Sequence, residues 1–376
     1  MQDNFAALEG ALEGELVDRS EEIRCAQLAL VAGCSFFMCG APGVAKSQLA
    51  RRIAARISET QYFEAQFSKS ATSEMLFGPW SLSAMKKDRW ERELTGTLAT
   101  AQLAHLDEVF SAGKMLTEDL HWALNERIYR HGTTVVDIPL STVFCSANKV
   151  PTDAGFAAFW DRLLIRRTLI ADLSGGDFIR MLQLAEPADK PEPVLSWSEV
   201  TEAQVAARAV AVPESVAEWV FKISGKLSDV GIHASPRRYR HAMGVVRASA
   251  WLDGRDEAIP TDLLVLKDIL WQFPDQAVTV RQLIERELRN SMSPAVELLR
   301  DLRKWQATKI DGLGESDRLR IAEELGVKLS RARTALETLE RRHKSTTTAA
   351  CWRILLDTEN TVLVKLFRAD PEAAGP

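Results

Sequence analysis

Residues 20–31 place Ile23, Ala26, Leu28 and Leu30 behind Glu21 and Glu22, the pattern of a helix with acidic residues near its N-terminus. Ser35-Phe36-Phe37-Met38-Cys39 is a continuous apolar run too short for a helix, and it predicts a buried strand. Residues 103–106, 143–147 and 167–170 are likewise short and apolar or β-prone, and helical stretches of ten or more residues separate them. Strands alternating with helices predict an α/β core with a parallel sheet covered on both faces, over residues 1–172.

Beyond Asp172 the pattern changes. Gly175-Gly176 and the proline-rich stretch 186–193 mark a connection, and the pattern that follows predicts a separate all-helical domain over 173–276. A third, mostly helical region spans 277–376. In it Leu283, Ile284 and Leu288, then Val296, Leu299 and Leu302, recur at helical spacing. Leu325, Leu329, Ala332, Leu336 and Leu339 step as a heptad seam would, but two heptads predict ordinary packing against a neighbouring helix. Residues 354–356 and 362–367 flank Asp357-Thr358-Glu359-Asn360 as the arms of a hairpin would.

Composition narrows the chemistry. A net charge of -5 leaves no basic field for a long phosphate backbone, which disfavours nucleic acid as partner. Five cysteines (Cys25, Cys34, Cys39, Cys145, Cys351) without CxxC or Cys/His spacing argue against a disulfide framework or a zinc site. The acidic start, broken by Gly10 and Gly14, does not read as a signal peptide, and the apolar stretch 28–39 is too short to span a bilayer. A cytoplasmic protein without membrane insertion is expected.

Gly40-Ala41-Pro42-Gly43-Val44-Ala45-Lys46-Ser47 follows the first predicted strand and opens a helix predicted from Gln48. That is the context of a phosphate-binding loop, in which backbone N–H groups at a helix start point at phosphate oxygens. Lys46 supplies a point charge and Ser47 a hydroxyl for Mg2+. Ala45 departs from the generic pattern, which has glycine before the lysine; it fits without strain at negative φ and compromises the loop at positive φ. Leu103-Ala104-His105-Leu106-Asp107-Glu108 reads as a buried strand ending in two acids, with Asp107 on the metal and Glu108 beside the attacking water. His105 reads as a hydrogen-bonded structural histidine. Ser141 to Asn148 reads as a strand ending in an amide that can orient the same water.

This ordered set resembles the MoxR family of AAA+ ATPases, and most closely its RavA-type branch, whose members commonly have alanine at the position of Ala45. The resemblance runs from about Leu16 to about Ile284. Residues 74–82 resemble the family's insertion after the second strand, and residues 124–132 its helix leading to a hairpin insert. Leu16 and Val17 resemble the segment that lies against the adenine in relatives. The loop residues Gly40 to Gln48 would then bind ATP. Phe159-Trp160-Asp161-Arg162-Leu163 is similar to the segment holding the arginine finger, which assigns Arg162 to a neighbouring subunit's γ-phosphate. Ala234-Ser235-Pro236-Arg237-Arg238 matches the start of a lid helix, where Arg237, or alternatively Arg238, would be sensor 2.

One helix N-terminus offers only about half a positive charge, so Lys46, Mg2+ and Arg237 are expected to carry most of the triphosphate's counter-charge. The family implies a ring, a homo-hexamer, that remodels or matures a protein client, often a von Willebrand A-domain partner, with partner choice in residues 277–376. Two rivals are an AAA+ nucleic-acid motor and a non-catalytic nucleotide-gated scaffold. Acidic composition opposes the first, and the joint presence of Glu108 and Arg162 opposes the second.

Overall fold

The computed structural model describes residues 1–111, 113–131, 134–151, 153–170, 173, 175–184 and 191–289, and the isolated positions 327, 330, 333 and 334. The expected heptad residues 325–339 and the hairpin at 354–367 lie outside the described residues, apart from those four positions. The chain divides into two compact units, residues 1–258 with 262–284, and residues 259–261 with 285–376; apart from the last turn of α12, the features that follow belong to the first.

The core runs α1 (Gln2–Glu13), α2 (Ser20–Ala32), β1 (Ser35–Cys39), α3 (Lys46–Ala54), β2 (Ile57–Ser58), β3 (Tyr62–Gln66), α4 (Ser73–Phe77), α5 (Leu82–Met85) and β4 (Leu103–Asp107). It continues through α6 (Lys114–Asn125), the antiparallel pair β5 (Ile128–His131) and β6 (Thr134–Asp137), β7 (Thr142–Ala147), α7 (Ala157–Arg162) and β8 (Ile165–Thr168). The helical part comprises α8 (Gly175–Gln183), a two-residue β9 (Leu195–Ser196), α9 (Trp197–Ala209), α10 (Glu214–Asp229), α11 (Pro236–Leu252) and α12 (Pro274–Arg289). α12 runs across the boundary expected at Ala277.

Five strands form one sheet in the order β3-β4-β7-β1-β8, with every neighbouring pair parallel. All of β1 and β7 is buried, which is why their sequences read as unbroken apolar runs rather than alternating ones. Because the strands share a direction, the segments leaving β1, β4 and β7 emerge at one edge, where ligands of open α/β sheets bind. The expected α/β core followed by an all-helical domain is the architecture found. β3 was not anticipated: Tyr62-Phe63-Glu64-Ala65-Gln66 is a half-buried edge strand with polar residues among apolar ones.

The helical part is pinned to the core by buried guanidinium groups. Arg238, 1% exposed, donates from Nε to Ile269 O and from its Nη atoms to the carbonyls of Asp161, Leu163 and Leu164. Burial lowers its pKa to about 10, against the opposing pull of Asp161. Arg166, fully buried, donates to Leu163 O, Trp271 O and Trp160 O and lies 3.9 Å from the Trp160 ring centroid. On the far side of β8, Arg167 bridges Glu22 at 2.9 Å and Asp268 at 3.0 Å.

These contacts fasten α7 and β8 to the helical part at many points. Arg238→Leu strips four carbonyls of their donor in a site that water does not reach. It is expected to cost roughly 3–5 kcal/mol in urea unfolding, the cost of breaking a buried charged network from one side. A loss below about 1 kcal/mol would show that other donors replace the guanidinium.

Candidate functional site

The loop leaving β1 is stitched to its neighbours: Gly40 N–H donates to Ala147 O at 3.2 Å, and Leu169 N–H to Cys39 O at 2.7 Å. A Cβ on Gly40 would stand 2.7 Å from Leu169 O, so the strand ends can meet this closely only at glycine. Lys46 opens α3 and is 7% exposed; its Nζ donates to Gly40 O at 2.6 Å, Ala41 O at 3.0 Å and Asn148 Oδ1 at 3.1 Å. The expected loop lysine and the expected strand-end amide are thus joined directly. Pro42 and Gly43 form the loop's turn and Gln48 lies in the first turn of α3.

Ala45 has φ +67° and caps α3. Of the two alternatives open in the sequence, the structure takes the left-handed one, which costs an L-residue roughly 1–2 kcal/mol; the expected damage to the loop does not follow, since Gly40 O and Ala41 O still close on Lys46 Nζ. Glu108 has φ +52°, Asp18 +55° and Arg127 +56°. Residues in that region persist where the surroundings over-determine them, and such positions gather at ligand sites. Ala45 ends the loop, Glu108 follows Asp107 and Arg127 lines the cleft described below, whereas Glu59 and Asp88 share the conformation in turns elsewhere.

Ser47 Oγ donates to Asp107 Oδ2 at 3.4 Å, and the Glu108 N–H to Asp107 Oδ1 at 3.0 Å. A carboxylate and a hydroxyl side by side are hard oxygen donors that suit Mg2+, which keeps several waters and takes its other ligands from phosphate. Among the described residues no group of three or more His, Cys, Asp or Glu could hold a metal ion, so an all-protein metal cage is not what this site offers.

Asp107 Oδ1 also accepts from Ser146 Oγ at 2.5 Å, and Ser146 Oγ pairs with His105 Nε2 at 2.8 Å. His105 is fully buried and partnered on both nitrogens, as a structural histidine would be. Leu16 and Val17 are buried in the turn between α1 and α2. Two residues on, Arg19 Nε donates to Val44 O at 3.3 Å and its Nη2 to Ile170 O at 3.1 Å. The segment expected near adenine is therefore tied to the loop. Arg19, Ser146 and Glu64 were not singled out from sequence; their partners lie 25, 39 and 41 residues away, beyond any local pattern.

Arg162 and Arg237 lie elsewhere. Both line a cleft of about 240 Å³ together with Gly33, Cys34, Ser35, Asn125, Arg127 and Asp161. Ser35 begins β1 and its Oγ donates to Arg162 O at 2.9 Å; the loop of residues 40–45 leaves the other end. Five residues of strand separate the two edges by about 13 Å. Arg237 thus stands beside Arg162, at the edge of the sheet opposite Lys46. The cause is the docking of α11, whose N-cap Ser235 accepts from Arg238 N–H and hydrogen-bonds Asp161. With Arg238 committed to carbonyls, Arg237 is the exposed member of the pair and hydrogen-bonds Asn125 Oδ1. Burial, then the like charge of Arg237, hold the Arg162 guanidinium below its ordinary pKa.

Comparison with known proteins adds ancestry to this geometry. Residues 4–187 match the family described as "MoxR domain in the MoxR-vWA-beta-propeller ternary systems", and residues 215–284 match the AAA lid domain. Two uncharacterised proteins of Methanocaldococcus jannaschii are similar. One is 35% identical over 274 residues, 73% of this chain and 71% of that protein, and the other 34% over 266 residues, 70% of each. A crystal structure from Cytophaga hutchinsonii, provisionally described as an ATPase, superposes with a TM-score of 0.62 at 18% identity. That match covers 77% of this chain and 94% of the other, and shows the shared fold.

Proposed function

Because this chain belongs to the MoxR family of AAA+ ATPases, we propose that it hydrolyses ATP at sites completed between neighbouring subunits of a ring. The observation that carries the proposal is the separation of the two halves. Lys46, Ser47, Asp107, Glu108 and Asn148 gather at one edge of the sheet, while Arg162 and Arg237 share a cleft at the other. A heterologous, head-to-tail contact brings opposite edges of two copies together, and such contacts form a ring where the rotation between copies closes.

In this reading the amides of Gly43 to Ser47 and the Lys46 ammonium bind the β- and γ-phosphates, and the side chains of Leu16 and Val17 face the base. Ser47 and Asp107 hold Mg2+, which when bound neutralises charge across the phosphate oxygens. Glu108 accepts a proton from the attacking water. Asn148 Oδ1, which now accepts from Lys46, is released to hold that water once Lys46 turns to phosphate. Arg162 and Arg237 of the adjoining copy supply two further positive charges where the transition state accumulates negative charge.

A homo-hexamer follows from family resemblance. The matched description names a von Willebrand A partner and a β-propeller partner, and we extend the reading to a chaperone that remodels or matures a protein of that kind. The narrower RavA-type placement rests on the resemblance, including Ala45. Against a nucleic-acid motor stands the net charge of -5. No helix among the described residues is long and apolar enough to cross a membrane.

Phosphate release by the purified chain tests the proposal: it should require Mg2+, and activity per subunit should climb with protein concentration as copies assemble. Activity independent of concentration down to the single-chain range would remove the shared site.

A further inference from the structure

β4 is buried except at its last residue, yet its centre is His105, a polar side chain with no exposure. Burying an imidazole is costly unless both nitrogens are satisfied, and both are. Nε2 lies 2.8 Å from Ser146 Oγ on β7, and Nδ1 lies 3.3 Å from Glu64 Oε1 on β3. Ser146 passes its own hydrogen to Asp107 Oδ1 at 2.5 Å. The far end is fixed as well, since Arg51 on α3 grips Glu64 at 2.8 Å and Tyr62 donates to Glu64 Oε2 at 3.3 Å.

The hydrogen-bond chain therefore crosses three adjacent strands, from the surface pair Arg51–Glu64 to the carboxylate that faces Ser47. Because ionised carboxylates only accept, Glu64 accepts from His105 Nδ1 and Asp107 from Ser146 Oγ, which leaves Ser146 Oγ to accept from His105 Nε2, so the hydrogens point outward from His105 to both ends. Glu64 stays ionised, with a pKa lowered to about 2 by its bond to His105 first and then by Arg51, against burial. Left alone, a carboxylate at a strand end rotates freely about its terminal torsion. Asp107 is held on Oδ1 by Ser146 and by the Glu108 amide, which leaves Oδ2 turned to Ser47.

We propose that Ser146, His105 and Glu64 form a positioning relay that fixes the orientation of Asp107 for the magnesium ion accompanying the nucleotide. The inference rests on the reading of Asp107 as the magnesium carboxylate. Ligating carboxylates are commonly oriented by such outer partners, whose loss costs about 10–100-fold in metal affinity. These three are positioning residues, none of them touching nucleotide.

The test is binding of a fluorescent ATP analogue to the full chain as Mg2+ is titrated, with a parallel measurement in EDTA. Ser146→Ala should raise the Mg2+ needed for half-maximal tightening by about tenfold or more, with metal-free affinity unchanged. Ser146→Thr, which keeps the hydroxyl, should restore the wild-type requirement. His105→Gln should keep a donor toward Ser146 and behave as wild type, whereas His105→Phe should share the Ser146→Ala defect. If His105→Phe does not fold, the serine pair decides alone. Equal losses with and without Mg2+ in Ser146→Ala would reveal damage to the loop and overturn the relay, as would an unchanged Mg2+ requirement. If the unmutated chain binds the analogue without any Mg2+ dependence, the reading of Asp107 itself falls, and the relay with it.

Discussion

Glu108→Gln is expected to lower ATP turnover by about 10²–10⁴-fold, the range of a lost general base, while nucleotide affinity changes little. The amide keeps the side chain's shape and its place after β4 but cannot take a proton from water. Three features make the substitution clean. The left-handed backbone at residue 108, φ +52°, is set by the turn out of β4 and does not depend on the carboxylate. The amide N–H of Glu108 bonds Asp107 Oδ1 at 3.0 Å, so the orientation of Asp107 is served by backbone that the mutation leaves in place. Lys46 makes its three hydrogen bonds to Gly40, Ala41 and Asn148, none of them to Glu108. Single-turnover phosphate release and equilibrium binding of the same analogue separate the two effects. A parallel loss of affinity would mean that Glu108 holds the nucleotide, and unchanged turnover would move the base to another residue.

What could be read from the chain and what could not divides by range. β1 and β7 were legible because a strand buried on both faces has no polar alternation to confuse it, and the loop was legible because Gly40, Lys46 and Ser47 are separated by fixed spacings. Asp107 and Glu108 were legible as adjacent acids at a strand end. The conformation of Ala45 was not, since alanine ordinarily avoids positive φ and nothing local announces the +67° that the structure shows. His105 looked structural, and it is hydrogen-bonded on both sides, but the identity of its partners required β3 and β7 to be set beside β4. The position of Arg237 was the least accessible feature. Ser235-Pro236 announces a helix start, yet nothing local says that this helix start is drawn to Asp161 by the buried side chain of Arg238.

That position leads to the sharpest expectation. Arg162→Ala alone should reduce turnover by about 10³–10⁵-fold, the worth of an arginine finger supplied by a neighbour, and Arg237→Ala should fall in the same direction. Mixed with Glu108→Gln subunits, each should regain activity. A site on an arginine-deficient copy still has Glu108, and a Glu108→Gln neighbour still presents both arginines. In a randomly mixed head-to-tail ring at equal amounts, about a quarter of the sites would be complete. The two arginines can be scored separately, because a residue that acts within its own chain cannot be rescued this way: its site lacks the arginine, and the partner's site lacks the base. Sharing of one cleft by Arg162 and Arg237 predicts rescue for both. Recovery with Arg162→Ala but not with Arg237→Ala would return Arg237 to its own subunit's nucleotide and require α11 to swing away from Asp161. Breaking the four carbonyl bonds of Arg238 would then have to be part of every catalytic cycle.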